Sequence, residues 1–421
     1  MSTGQKTRRI YPQGTLAAHV LGYYSPYSGI STGIENIAEN KLKYVEKLIP
    51  LKYSKDGRII FDFNTDPVAT TTYPKGQDVT LTIDAAIQYV AEKELYKMAE
   101  SRNADGGFAI VMNPKNGEIL AYAVYPYFDP NNFFKATPRE LKNWTLTDMY
   151  APGSTFKIIT VASALELGKI TENTEVYDTC HIKVGGHDIS NSHCYPSGMI
   201  SLTDLFERSS NVASYGISQL MTNKEFYDMI LRFGFGKKTG FDLVEQTTGL
   251  IMHPKYWDGT TKATMSYGYI SINAMQMVSA VGALANNGVK VTPHIIKYSP
   301  EEQERKIKTT QIVSPETAQT ITKLLVKSVD QGHTTFKLKD YRLAAKTGTS
   351  KKTRQGGNGY IDGVYYTSTI GYLPASDPQV LIYVCLDNPK GGNAYGNTVA
   401  GPVFKEIAED TVRILNIKSD R

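Results

Sequence analysis

The sequence has 421 residues, enough for two or three domains, and its 41% apolar and 21% charged residues are typical of a globular protein. A net charge of +5 is too small to indicate nucleic-acid binding. The sequence contains no apolar run of roughly 18 residues, so it encodes no transmembrane helix. Three cysteines are too few for a disulfide scaffold.

The first part of the chain predicts a mixed segment, then a helix, then a hairpin. Residues 10–75 combine turn signals with one helical stretch near 33–49. Apolar residues recur at helical spacing over 84–100, and Asp84 is placed to cap that helix. At 107–124 two apolar runs flank the turn sequence NPKNGE, which predicts a β-hairpin.

The rest of the chain predicts helices, then three strands, then a last helix. The region 154–288 is largely helical by its apolar period, with glycine-rich connections. Strand patterns follow at 341–350, 364–373 and 379–387, and an amphipathic helix is predicted at 402–417. This order favours an antiparallel sheet covered by helices, which is an α/β sandwich.

The stretch APGSTFK suggests a nucleophile. Pro152 and Gly153 break the chain, Ser154 is predicted at or near a helix N-cap, and Lys157 follows three residues later on the same helix face. A serine hydroxyl needs a base to become a nucleophile, and a lysine whose pKa is lowered can be that base. The simpler interpretation is a capping serine and a surface lysine, but this is the only Ser-x-x-Lys in the chain.

Two further motifs accompany Ser154, and each has two candidate copies. Lys-Thr-Gly occurs at 238–240 and at 346–348. The second copy follows an apolar run and precedes two strand patterns, so we expect it on a sheet strand whose edge can pair with an extended peptide. There Lys346 would supply charge for a carboxylate, and Gly348 would remove a side chain that blocks the peptide. The first copy is predicted in a loop.

The Ser-x-Asn motif also has a preferred copy. Ser209 and Asn211 lie between two helical stretches. The other copy, at 271–273, begins a long apolar helix, where capping or core packing is the simpler interpretation. We therefore expect Ser209 and Asn211 to belong to the site.

In this order STFK, SSN and KTGTS resemble the three active-site motifs of the transpeptidase domain of penicillin-binding proteins. The segments at 11–24 and 76–88 are similar to the linker and the catalytic-domain start of class B members, and SSN is similar to division-type septal and sporulation members. The resemblance implies a penicillin-binding-protein/serine β-lactamase-like α/β fold. It would comprise a transpeptidase domain at 76–421, with a five-stranded antiparallel sheet between helices, and a partial N-terminal pedestal at 1–75.

The resemblance also implies roles for individual residues. Ser154 would be the nucleophile, Lys157 its general base, and Ser209 a proton relay between Lys157 and Lys346. Asn211 would orient the acyl donor, and the donor carboxylate would be held at the Lys346 motif. The implied substrate-binding residues are Asn211, Thr347, Gly348 and Thr349. The backbone N–H groups of Ser154 and Thr349 would form the oxyanion hole.

The implied activity is a peptidoglycan D,D-transpeptidase that cross-links stem peptides through a serine acyl-enzyme, without metal or cofactor. β-Lactams would be covalent inhibitors, and a membrane glycosyltransferase of the division machinery would be a partner. Family members are extracytoplasmic and carry an N-terminal membrane anchor, which we expect to be missing from this chain. Two alternatives stay open: a D,D-carboxypeptidase or β-lactamase-like hydrolase, and a non-catalytic β-lactam sensor or scaffold.

The segment CHIKVGGHDISNSHC (180–194) predicts a hairpin with a turn at Gly185 and Gly186 and with Ile182 opposite Ile189. In this register Cys180 faces position 191, so a disulfide with Cys194 needs a bend after the second strand. The resemblance implies an oxidising compartment and relatives with cysteines around this hairpin. A Cys180–Cys194 disulfide, free thiols and a zinc site all remain possible interpretations.

Overall fold

A five-stranded antiparallel sheet forms the centre of the computed structural model, which describes residues 9–43, 52–60, 76–354 and 359–421. Its strands are β1 (Gly106–Met112), β2 (Ile119–Tyr125), β3 (Ala344–Thr353), β4 (Tyr360–Leu373) and β5 (Val380–Asp387). Their order across the sheet is β3-β4-β5-β1-β2. The β1–β2 hairpin therefore joins strands that come more than two hundred residues later, through pairs such as Val111 with Ile382. This confirms the predicted fold class.

Apolar layers cover both faces of the sheet. On β1, Phe108 and Ile110 belong to one core cluster, whereas Ala109 and Val111 belong to the other. This alternation follows from the two-residue period of a strand, and burial on both sides explains why the strands are almost continuously apolar. The fully buried helix Ala274–Ala285 packs within the first layer.

Two long helices cover the opposite face. Ala85–Ser101 contributes apolar residues such as Leu95, and Ala400–Ile414 contributes residues such as Phe404. The predicted N-cap is confirmed, because the Asp84 side chain accepts hydrogen bonds from the backbone N–H groups of the first helical turn. The C-terminal helix was predicted at 402–417, so its predicted start is two residues late and its predicted end three residues beyond Ile414.

The remaining elements surround this sandwich. The other α-helices are Ala18–Leu21, Gly33–Ile37, Glu39–Leu42, Pro138–Leu141, Trp144–Thr147, Lys157–Glu166, Leu202–Glu207, Asn211–Gln219, Asn223–Phe233, Gly259–Ser266, Pro300–Lys306 and Pro315–Gln331. The 3₁₀-helices are Pro130–Lys135, Gly153–Phe156 and Pro254–Tyr256. The short strands are Lys52–Tyr53, Ile59–Ile60, Glu175–Asp178, His181–Val184, His187–Ser190, Gly198–Ser201, Val289–Val291 and Thr309–Gln311.

The described part of the N-terminal segment packs onto the sandwich. Val20 and Ile34 belong to the same apolar cluster as one face of the sheet. The backbone N–H of Ala17 donates to Glu92 Oε1 at 2.7 Å. The single helix expected near 33–49 is two short helices up to Leu42, and positions 44–49 lie outside the described residues. Among the residues that the structure describes, no helix is both long and apolar enough to cross a bilayer.

Candidate active site

Ser154 lies in a tight turn at the start of a buried helix. The 3₁₀-helix Gly153–Phe156 runs directly into the α-helix Lys157–Glu166, so Ser154 is inside the turn and caps neither helix. Gly153 has a φ of +60°, and its backbone N–H donates to the carbonyl of Gly268 at 3.2 Å. A left-handed conformation is open to glycine at little cost, which is why this residue type precedes the serine.

Lys157 is fully buried and its amine is surrounded by oxygens. Its Nζ lies 3.0 Å from Ser154 Oγ, 2.8 Å from Asn211 Oδ1 and 3.2 Å from Ser209 Oγ, and it also contacts the Ser209 carbonyl. Two of the three predicted motifs therefore meet at one nitrogen. The simpler interpretation of Lys157 as a surface residue is wrong, because its side chain is 0% exposed.

The surroundings of Lys157 favour its neutral form. Burial lowers the pKa of its amine well below the ordinary value, the nearby Lys346 lowers it further, and Asp178 opposes the shift. A neutral amine has two N–H donors and one lone pair. The donors can bind Asn211 Oδ1 and the Ser209 carbonyl, so the lone pair is free to accept the Ser154 hydroxyl proton.

Ser209 and Asn211 lie where the helix Asn211–Gln219 begins. Ser209 has a left-handed φ of +54°, which is strained for a residue with a side chain. The helix is capped by Ser210, whose Oγ accepts from Ala213 N at 2.9 Å. The cap leaves the side chains on either side of it, Ser209 and Asn211, free to contact Lys157.

The Lys-Thr-Gly copy on the sheet is the one near Ser154. Strand β3 is an edge strand, as predicted, and Lys346 on it is only 4% exposed. Burial lowers the pKa of the Lys346 amine to about 8, while Glu207 opposes the shift. Its Nζ donates to the Thr347 carbonyl at 3.1 Å, and Thr349 Oγ1 accepts from the N–H of Gly396 at 3.0 Å.

Position 348 requires a glycine for a different reason from the one expected. A Cβ at this position would lie 2.7 Å from Ser368 Oγ on β4, 2.8 Å from the Pro152 carbonyl oxygen and 3.1 Å from Thr155 Cγ2. The bare face of Gly348 therefore packs against the turn that carries Ser154 and does not face an incoming peptide. The expectation that a side chain here would block the substrate is wrong. The glycine instead lets β3 approach the nucleophile's turn.

The second copies of the motifs are structural. Lys238 is exposed in a loop, where Thr239 N and Oγ1 both donate to the buried Glu245 carboxylate. Asn273 caps the helix Ala274–Ala285 and shares a capping box with Gln276. Both predictions, a loop and a helix cap, are confirmed.

Two cavities meet at Ser154. One of about 1040 Å³ is lined by Ser154, Asn211 and Thr349 together with Tyr267 and Tyr360. A second, of about 350 Å³, shares Ser154 and Thr349 with the first, and its lining also includes the predicted site residues Ser209, Lys346 and Thr347. Ser154 therefore lines both cavities.

The hairpin at 180–194 has the predicted register. Ile182 faces Ile189, and the Asn191 N–H donates to the Cys180 carbonyl at 2.9 Å. The chain turns back after Ser190, and the structure joins Cys180 to Cys194 by a disulfide with their Cα atoms 5.3 Å apart. With both sulfurs bonded to each other, neither cysteine is a free thiol or a zinc ligand.

Sequence reasoning missed two polar residues near the site. Asn191 Oδ1 accepts from Asn211 N at 2.8 Å, and Asn191 Nδ2 donates to both oxygens of Asp178 at 3.0 Å. Neither residue belongs to a motif. The available signal was the position of Asn191, one residue beyond a predicted strand and beside the expected bend.

Comparison with known proteins identifies the family. The family described as "Penicillin binding protein transpeptidase domain" matches residues 107–409, which is most of the chain. The chain belongs to the penicillin-binding protein transpeptidase family. Its relatives place it among the class B penicillin-binding proteins, in the division-type subgroup, as the sequence resemblance implied.

Named relatives of this penicillin-binding protein come from several bacteria. It is 34% identical to the stage V sporulation protein D of Bacillus subtilis, over 97% of this chain and 64% of that protein. It is 31% identical to the probable peptidoglycan D,D-transpeptidase PenA of Neisseria meningitidis, over 98% of this chain and 70% of that protein. It is 30% identical to the peptidoglycan D,D-transpeptidase FtsI of Escherichia coli, over 99% of this chain and 69% of that protein. The chain thus spans about two thirds of these relatives' lengths, and slightly less for the first.

Solved structures agree with the fold. Penicillin-binding protein 3 of Mycobacterium tuberculosis in complex with aztreonam has a TM-score of 0.83 and 27% identity, over 98% of this chain and 91% of that one. The transpeptidase domain of Burkholderia pseudomallei penicillin-binding protein 3 has a TM-score of 0.72 and 30% identity, over 83% and 99%. The penicillin-binding-protein fold is therefore confirmed.

Proposed function

We propose that this chain is the catalytic part of a class B peptidoglycan D,D-transpeptidase that cross-links stem peptides in septal or sporulation cell-wall synthesis. The observation that carries the proposal is the buried Lys157 amine 3.0 Å from Ser154 Oγ, with the hydroxyl at the meeting point of two cavities. The names of the relatives, D,D-transpeptidases and a sporulation protein, support the same activity.

The first half of the reaction forms an acyl-enzyme. Ser154 Oγ attacks the carbonyl carbon of the penultimate D-alanine while Lys157 Nζ takes the hydroxyl proton. The C–N bond to the terminal D-alanine then breaks, and the leaving amine takes a proton passed from Lys157 through Ser209. Ser209 Oγ, 3.2 Å from Lys157 Nζ, is suitably placed for this transfer.

Binding groups hold the donor during this step. The charge of Lys346 and the hydroxyls of Thr347 and Thr349 would hold the donor's terminal carboxylate. One N–H of the Asn211 amide is engaged by the Ser190 carbonyl at 2.8 Å, and the second N–H is left for the donor backbone. Gly348 contributes by bringing β3 close to the turn, and the N–H groups of Ser154 and Thr349 would bind the developing oxyanion.

The second half transfers the acyl group. The amine of another stem peptide attacks the ester carbonyl, gives up its proton, and releases Ser154 as the hydroxyl. A β-lactam would enter as the donor and leave Ser154 acylated. No step calls for a metal or a cofactor.

The biological setting follows from the same proposal. The transpeptidase domain would comprise 76–421 and the partial pedestal 1–75, and the matched family range of 107–409 lies within the former. The site would face the outside of the cell membrane, where its peptidoglycan substrate is. A membrane glycosyltransferase of the division machinery would supply the glycan strands.

A product assay separates transpeptidation from hydrolysis. The protein is incubated with a stem peptide ending in D-Ala-D-Ala and with a second stem peptide that offers a free amine, and products are identified by mass spectrometry. We expect a cross-linked dimer, and none with the Ser154→Ala variant. A product shortened by one D-alanine without dimer would favour the hydrolase alternative, and unchanged peptides would favour a scaffold.

A further inference from the structure

Asn191, from the neighbouring hairpin, adds to the Ser210 cap of the helix that begins at Asn211. Its Oδ1 accepts three hydrogen bonds, from the N–H of Asn211 at 2.8 Å, the N–H of Val212 at 3.1 Å and the hydroxyl of Ser210 at 3.2 Å. The first N–H groups of a helix have no partner within the helix. One amide oxygen from outside the helix thus fixes the start of the segment that bears Ser209 and Asn211.

Asp178 fixes the orientation of the Asn191 amide. Its two carboxylate oxygens accept from Asn191 Nδ2 at 3.0 Å each, and Oδ1 also accepts from the Cys180 N–H at 2.8 Å. Asp178 is only 7% exposed. Since a carboxylate only accepts hydrogen bonds, the amide must turn its NH₂ to Asp178 and its oxygen to the helix.

The same hairpin also holds the Asn211 side chain. Asn211 Nδ2 donates to the carbonyl of Ser190, the residue before Asn191, at 2.8 Å, and Asn211 Oδ1 faces Lys157 Nζ at the same distance. A continuous chain of contacts therefore runs from Asp178 through Asn191 and Asn211 to Lys157. Its last link is the nitrogen that touches Ser154.

We propose that Asp178 and Asn191 are a positioning pair for the proposed reaction: together they hold the helix start so that Asn211 and Ser209 meet the general base Lys157. The proposal rests on the proposed function, because its consequence is measured in the acylation of Ser154. Neither residue touches the reacting atoms. They act through the helix start, and Asp178 also acts through its charge.

The charge of Asp178 gives the pair an electrostatic effect. Asp178 raises the pKa of the Lys157 amine, whereas burial and Lys346 lower it. These are the charged groups that face Lys157, and Glu207 in turn faces Lys346. Replacing Asp178 by asparagine should lower the Lys157 pKa further. The acid limb of the pH profile of the acylation rate should then move to lower pH. A purely structural role would leave that limb in place.

The test is a reciprocal exchange. Rates of acylation by a fluorescent penicillin, expressed per folded protein, and melting temperatures are measured for Asn191→Ala, Asn191→Asp, Asp178→Asn and the double variant Asp178→Asn/Asn191→Asp. We expect Asn191→Ala and Asn191→Asp to be acylated at least about tenfold more slowly, since small displacements of reacting groups are costly. In the double variant the carboxylate accepts from the helix and the new amide donates to it, so the rate should recover. Lys183→Ala, an exposed change in the same hairpin, should leave the rate unchanged.

Three results are decisive. Recovery in the double variant, with the acid limb displaced to lower pH in Asp178→Asn but not in Asn191→Ala, supports the pair. A wild-type rate in Asn191→Ala, or a double variant no faster than Asn191→Asp, overturns it while the proposed function stands. A wild-type protein that takes no label overturns the proposed function itself, so the two failures are distinct.

Discussion

Replacing Gly348 by alanine tests whether strand β3 must touch the turn that carries Ser154. The added Cβ would lie 2.8 Å from the Pro152 carbonyl oxygen, so strand and turn must separate by about 0.6 Å to reach an ordinary contact of 3.4 Å. Overpacking of this kind costs about 1–3 kcal/mol of folding free energy. Because a displacement of about 1 Å at a reacting group can cost about 100-fold in rate, we expect acylation to fall between about tenfold and 100-fold.

The assay measures the acylation rate with a fluorescent penicillin and the melting temperature of the same samples. Gly107→Ala is the matched control, because its Cβ would lie 3.0 Å from Leu95 Cδ1 and 3.2 Å from the Cys385 carbonyl oxygen in the same sheet, at residues that line neither cavity at Ser154. It should lose stability to a similar extent but keep most of its rate per folded protein.

Two results would show that β3 need not touch the Ser154 turn in this way. A Gly348→Ala protein with the wild-type rate would show that the contact with the turn is not needed. A protein that loses its rate but keeps its melting temperature would instead support a clash with the substrate, the explanation that the structure replaces.

Three other predictions concern the two lysines, the two Lys-Thr-Gly copies and the disulfide. The acylation rate should rise with pH as Lys157 loses its proton, at a pH well below the usual lysine range. The rate should then fall near pH 8 as Lys346 loses its charge, and Lys346→Arg should remove this fall. Lys238→Ala should leave the penicillin acylation rate unchanged, whereas Lys346→Ala should lower it at least about tenfold. Without reductant, mass spectrometry should find Cys180 and Cys194 closed to alkylation, and replacing both by serine should cost up to about 3 kcal/mol in a chemical-unfolding experiment.

Each of these has a contradicting outcome. A rate that rises up to pH 10 would mean that Lys157 is not buried as described. Equal effects of the Lys238 and Lys346 changes would remove the distinction between the two Lys-Thr-Gly copies. Alkylation of both cysteines in the unreduced protein would rule out the disulfide.

The fold and the approximate place of the site could be predicted from the sequence because both depend on local patterns. The hairpin at 107–124 and the strand with Lys346 follow from apolar runs and turn residues, and the choice between motif copies followed from their predicted elements. The hairpin register at Ile182 and Ile189 followed from its two-glycine turn.

The missed features depend on contacts between distant segments. Gly348 needs to be a glycine because of Pro152, almost two hundred residues earlier, and no local pattern reports that contact. Asp178 and Asn191 are ordinary polar residues beside short strands until the fold brings Asn211 to them. The simpler interpretation of Lys157 failed for the same reason, since only the assembled structure shows its burial.

The site of acylation decides whether Ser154 is the nucleophile. The protein is labelled with a fluorescent penicillin, digested and analysed by mass spectrometry, with Ser154→Ala as the control. We expect one labelled peptide, which contains Ser154, and no label in the variant. An unlabelled wild-type protein, or a variant that labels as readily as the wild type, would contradict this expectation.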